Sequence, residues 1–289
     1  MKINNIHNTW GTIVEFNDPL EFFNQPIGYW RKLLYDRKLI FFKKMDFSLV
    51  DYAKFGYYFG KPWDIEDYNY SHEKCVSVSD LDKTYYVTEF NNFIHHNRIA
   101  NKLMPFHADI PNRTTNPFPH RSLWIVKNPN KLLSGHTYWL NIEDGIEYLS
   151  PTLIDLIPRI KVLQQSWYVK GTDEKLFDFI KVHPITNKKS LRLNYYVTPG
   201  NESAWIKEVH IDGIKQPDCS LIQEYIDHLL EYPELFIKHV WDTTDIAVYD
   251  NYSSIHGRTQ LVLGDTAEDN ERKFYRMNID HIHDQNMLF

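Results

Sequence analysis

Apolar and polar positions follow two different rhythms along this chain, and the change comes near residue 75. Upstream the pattern alternates between helical and extended spacing. GTIVEF (11–16) predicts a short strand, Pro26 to Tyr35 a helix, and RKLIFFKK (37–44) a buried strand with solvated ends. Ser48 predicts an N-cap, after which Leu49, Ala53, Phe55, Tyr58 and Phe59 recur on one helical face until Gly60-Lys61-Pro62 stops it. Downstream come short strands separated by Pro, Asn and Gly: CVSVS (75–79), TYYVTEF (84–90), SLWIVKN (122–128), HTYWLN (136–141), SLRLNYYV (190–197), DIAVYDN (245–251) and FYRMNIDH (274–281). Two helices interrupt them, at about 151–158 and about 219–231. Many short strands with such punctuation predict a β-sandwich or barrel carrying helices, and their irregular spacing argues against a propeller.

Composition narrows the function classes. The 289 residues, 43% hydrophobic, suit one domain spanning 1–289. The net charge of −6 leaves no basic field for nucleic acid or an anionic membrane surface. No apolar run nears the roughly 20 residues a membrane-spanning helix needs. MKINNIHNTWGTIVEF lacks the apolar stretch of a secretory signal. Cys75 and Cys219 form neither a disulfide framework nor a CxxC knuckle, so a reducing cytoplasm is expected. Fourteen histidines suggest metal chemistry, and an aromatic content of 15% suggests a large core with an aromatic-lined pocket.

Three segments carry candidate chemistry. In Phe106-His107-Ala108-Asp109-Ile110-Pro111, extended alternation puts His107 and Asp109 on one face. Far downstream, DIAVYDNYSSIHGRT ends on His256 followed by Gly257. Each alone is weak, and a loop or capping role for His256 is open. Together, two histidines and one carboxylate are the donor set of a non-haem Fe(II) centre, which occupies one octahedral face and leaves three positions free. A structural zinc site would fill all four positions, usually with Cys. Spacing alone does not bring the pieces together. In ERKFYRMNI, Arg272 and Arg276 lie four residues apart, hence on one face of a strand, where a buried guanidinium needs an anion. Surface salt bridges are the alternative for both.

The ordered set of motifs resembles the taurine dioxygenase-like (TauD/TfdA) family of Fe(II)/2-oxoglutarate-dependent oxygenases over most of the chain. RKLIFFKK and FGYYFGKP are similar to the family's N-terminal strand and its helix ending in FG. FHADIP resembles its metal segment, SGHTYWLN its GGxTxW strand, and YLSP its helix start. HP…T…KSL resembles its HPxTGxKxL stretch, DIAVYDNYSSIHGRT its WDN…HGR segment, and ERKFYRMNI its closing RRxxxRxxI. The resemblance implies a double-stranded β-helix (jelly-roll) core, mainly β with flanking helices. It implies Fe(II) held by His107, Asp109 and His256, with 2-oxoglutarate as co-substrate and O2 as oxidant. By the same resemblance, Thr137 and Arg272 bind the distal carboxylate of 2-oxoglutarate, and Arg276 lies at the active site near substrate. The implied reaction couples decarboxylation of 2-oxoglutarate, giving succinate and CO2, to hydroxylation of a substrate C–H.

The departures are informative. Tyr249 stands where the family often has Trp, a conservative change in a packed core. Leu103-Met104-Pro105-Phe106 lacks the polar groups that hold a sulfonate in the taurine enzyme. Asp109 is present, unlike in the related halogenases. Segments 64–100 and 160–182 are expected to line the substrate pocket as insertions. His95 and His96 fit a polar loop, His281 and His283 a solvated tail, and His120, His136 and His210 receive no role. Arg276 suggests a small anionic substrate, an amino acid or another carboxylate. The sequence leaves a homo-oligomer open, together with two other function classes: a jelly-roll binding protein without turnover and a zinc hydrolase. The hydrolase lacks a general base beside the triad.

Overall fold

The computed structural model describes residues 1–63, 74–80, 83–91, 103–109, 120–128, 134–164, 175–196, 205–262, 266 and 271–280. Two sheets dominate. The larger runs Lys2–Asn5, Thr12–Glu15, Leu39–Lys43, Ile246–Asp250, His120–Lys127, Lys273–Asp280, Lys83–Asn91 and Lys74–Asp80, with Lys61–Pro62 paired to Lys273–Asp280. The smaller runs Phe236–His239, Thr137–Asn141, Ser254–Arg258 and Met104–His107. Strands distant in sequence thus lie side by side, as a double-stranded β-helix requires.

Period-two alternation explains why the central strands read as continuous apolar runs. In Leu39–Lys43, Leu39 and Phe41 join Trp139 and Ile237 of the smaller sheet, while Ile40 and Phe42 join Trp30, Leu34 and Phe55 on the helical side. Both faces of the large sheet are therefore buried. The smaller sheet's outer face, through Leu140 and Ile255, packs on helix Ser220–Leu230 and on strands Ile160–Gln164 and Ile206–Ile211. The layer between the two sheets is where the candidate site lies.

Local chemistry fixes the helix ends. Helix Leu49–Tyr57 opens on a reciprocal capping box: the Asp51 amide donates to Ser48 Oγ at 3.1 Å, and the Ser48 amide to Asp51 Oδ2 at 3.2 Å. Helix Ile27–Arg37 stops at Lys38, which takes a left-handed φ of 62° and reaches Glu143 at 3.3 Å and Asp144 at 3.0 Å. The third helix is shorter than its sequence predicts. It ends at Leu156 and tightens into a 3-10 turn over Ile157–Arg159, because Pro158 has no amide to donate. The strand expected over 190–197 also ends early, at Leu191. Asn194 explains this: its side chain donates to the Ala108 carbonyl at 3.0 Å and accepts from the Tyr195 amide at 2.8 Å, replacing ladder bonds.

Candidate active site

His107 is the last residue of Met104–His107, and in the adjacent antiparallel strand its partner is His256. Opposed residues share a face, so the smaller sheet sets the two imidazoles side by side, ring centroids 4.3 Å apart. Asp109 follows two residues later, beyond the strand end. Its Oδ2 is 3.4 Å from His256 Nε2 and its Oδ1 is 3.8 Å from His107 Nε2. One donor atom from each residue falls within 4.8 Å of the others. These separations approach the about 3.0 Å edge of an octahedral face built on bonds of about 2.1 Å.

The protonation states suit a cation. Burial lowers the His107 imidazole below its ordinary range, and burial with the neighbouring His107 lowers His256 well below it. Both rings are therefore neutral at pH 7, with a lone pair to offer. His107 Nδ1 bonds the Pro105 carbonyl at 2.9 Å, which directs Nε2 toward Asp109. Burial alone would raise the Asp109 carboxyl. Arg121, followed by His256, His107 and Arg276, outweighs burial and brings the group down to about 2. Asp109 is thus ionised across the physiological range.

A second cluster lies farther along the same interior. Thr137 and Arg258 are opposed across the Thr137–Asn141 and Ser254–Arg258 ladder. Thr137 Oγ1 accepts from Trp241 Nε1 at 2.8 Å. Arg272 is buried against Gly135: a Cβ at that glycine would come within 2.8 Å of the guanidinium, so the lack of a side chain there makes room for it. Burial, reinforced by the charge of Arg258, lowers Arg272 to about 9, and burial lowers Arg258 to about 10. Two crowded guanidinium groups beside a hydroxyl thus concentrate hydrogen-bond donors and positive charge at this end of the interior. Arg276, four residues from Arg272, is half-buried opposite Leu123, and its charge reaches His107, Asp109 and His256.

The family model described as "Taurine catabolism dioxygenase TauD, TfdA family" matches residues 2–278. The chain belongs to this family. It is therefore an Fe(II)/2-oxoglutarate-dependent dioxygenase, using Fe(II), 2-oxoglutarate and O2. Solved TauD-fold structures agree in architecture. A taurine dioxygenase from Burkholderia xenovorans superposes with a TM-score of 0.66 at 18% identity, covering 96% of this chain and 89% of that one. AAD-2, in complex with Mn(II) and N-oxalylglycine, gives 0.65 at 16% identity and 97% coverage of both chains. PvcB, an Fe, alpha-ketoglutarate dependent oxygenase from an isonitrile synthetic pathway, gives 0.67 at 15%, covering 96% and 91%. Comparison with curated proteins gives no match. No helix among the described residues is long and apolar enough to cross a membrane.

The donor set fits the iron that TauD-family enzymes use: two neutral imidazoles and one ionised carboxylate, with no thiolate. The structure also gives contacts that no motif assigned. Arg121 NH1 lies 2.8 Å from Asp109 Oδ1 and is buried, and the only sequence signal was a cation heading an apolar strand. Tyr249 is more than a core replacement for Trp: its hydroxyl is 3.2 Å from His256 Nε2 and 3.5 Å from Asp109 Oδ2. His120 and His183 flank the fully buried Asp250 at 3.5 and 3.2 Å, tying the HP segment to the DN turn. His95, His96, His281 and His283 lie outside the described residues, as do 64–73, 81–82, 92–100 and 165–174 of the expected pocket segments.

Proposed function

We propose that this dioxygenase hydroxylates an unactivated C–H of a small anionic substrate, an amino acid or another carboxylate, with release of succinate and CO2. The convergence of His107, Asp109 and His256 from two strands 149 residues apart carries the reading. In it these three side chains hold Fe(II), and the bound iron supplies the oxidising chemistry with 2-oxoglutarate and O2. Thr137 and Arg272 hold the distal carboxylate of 2-oxoglutarate, and burial sharpens that recognition because the cation has little water to compete with the incoming anion. Arg276, whose charge reaches all three ligands, orients an anionic group of the substrate next to the metal. Residues 1–289 act as one domain, with 64–100 and 160–182 lining the substrate pocket. The enzyme works in the cytoplasm, where its two cysteines stay reduced.

The test is O2-dependent succinate formation screened over amino acids, small carboxylic acids and sulfonates. A carboxylate that stimulates succinate release and gains one oxygen atom is the expected result. His256→Ala and Asp109→Ala should abolish both. Turnover at the wild-type rate in either variant would remove the ligand assignment.

A further inference from the structure

Asp109 is placed differently from the two histidines. His107 and His256 are fixed by a ladder, whereas Asp109 lies two residues past the end of its strand, where no ladder sets the direction of its side chain. Among the described residues, its amide is held by one long bond, 3.4 Å, to Asn251 Oδ1. The orientation of the carboxylate must come from side-chain contacts, and the shortest is the 2.8 Å ion pair with Arg121.

Arg121 itself is rigidly mounted. It sits in the middle of three paired strands, opposite Tyr249 on one side and Asn278 on the other. Opposed residues share a face, so Tyr249, Arg121 and Asn278 form a row between the sheets, all buried. At 3% exposure, Arg121 has little solvent to turn toward. The two oxygens of Asp109 are thereby made unequal. Oδ1 is taken by Arg121, while Oδ2 faces His256 Nε2 at 3.4 Å. Tyr249 does not replace this grip, because its hydroxyl is closer to His256 Nε2 than to the carboxylate.

We infer that Arg121 is a positioning residue that holds Asp109 as a one-oxygen metal ligand. This rests on the reading that His107, Asp109 and His256 hold the metal. The consequence is coordinative. A carboxylate with both oxygens free can chelate, taking one of the three positions that 2-oxoglutarate and O2 require. With Oδ1 occupied by a guanidinium, chelation would have to break a buried ion pair, which is costly. Arg121 thus keeps the open face open.

The experiment uses Mn(II) in place of iron, without O2 or turnover. Water-proton relaxation counts the exchangeable waters on bound Mn(II), and displacement of those waters by 2-oxoglutarate gives its affinity. The wild type should keep three waters. Arg121→Gln should lose one and bind 2-oxoglutarate about tenfold more weakly, the low end for removing an outer-shell partner. Arg121→Lys retains the buried charge, and so the fold, but not the planar fork, and should fall between the two. Three waters with wild-type 2-oxoglutarate affinity in either variant would overturn the inference, even if its thermal stability drops. So would weakened substrate binding with unchanged Mn(II) coordination, which would make Arg121 a substrate contact. Failure of the underlying reading looks different: wild-type protein would not bind Mn(II), or His256→Ala would bind it equally well.

Discussion

Replacing Arg272 with methionine should weaken co-substrate binding while leaving the chain folded. The guanidinium is 5% exposed, and burial with the nearby charge of Arg258 lowers it to about 9. An incoming carboxylate offsets much of this, so the cation is poised to bind one. Losing a charge-assisted bidentate contact costs about 2–5 kcal/mol, and Arg272→Met should weaken 2-oxoglutarate binding roughly 30- to 4000-fold. Substrate affinity should barely move, and Arg258 would set the residual 2-oxoglutarate binding. Methionine matches the side-chain volume closely, so the variant should still unfold cooperatively without ligands. Anaerobic titration of the Fe(II)-loaded protein with 2-oxoglutarate, beside urea denaturation of the metal-free protein, measures both. Unchanged 2-oxoglutarate affinity in the folded variant would refute the assignment and make Arg272 a structural charge.

Three further outcomes follow from the geometry. Arg276→Ala should leave Mn(II) and 2-oxoglutarate binding near normal while substrate hydroxylation falls and uncoupled succinate release persists; normal substrate affinity in the folded variant would remove the case for an anionic substrate. Lys38→Met strands the buried Glu143 and the adjacent Asp144, and should cost about 3 kcal/mol in chemical denaturation, the low end for a broken buried pair because Lys188 remains on Glu143 at 3.1 Å. Burial lowers His107, His120 and His256, so each stays neutral in the folded chain while the unfolded chain takes up protons as pH falls through about 6.5. The metal-free protein should therefore be most stable above that pH. It should lose stability on going from about pH 7.5 to about pH 5, at roughly 1.4 kcal/mol per pH unit for each imidazole that remains neutral. A flat profile would mean these rings protonate in place.

Much of this enzyme is legible in one dimension because its informative patterns are local. Period-two alternation marks the strands and marks His107 and Asp109 as a pair, but it does not carry Arg272 and Arg276, because Arg272 precedes strand Lys273–Asp280 and the register shifts between Lys273 and Phe274. The order of short motifs from RKLIFFKK to ERKFYRMNI carries the family, and with it the jelly roll and its cofactors. Local rules also mislead where a side chain competes with the ladder, as Asn194 does in ending the strand expected to run to 197. What only the tertiary structure decides is register between distant strands. His256 meets His107 because Ser254–Arg258 pairs with Met104–His107 at that offset; a slip of one residue would turn the imidazole to the opposite face. His120 meets Asp250 through register as well, whereas Arg121 reaches Asp109 across the space between the two sheets and His183 reaches Asp250 from the end of strand Ile180–Val182. No spacing along the chain encodes these contacts, since each depends on how the sheets bring together segments distant in sequence. The motifs therefore identify the chemistry, and the ladders determine which charge meets which ligand.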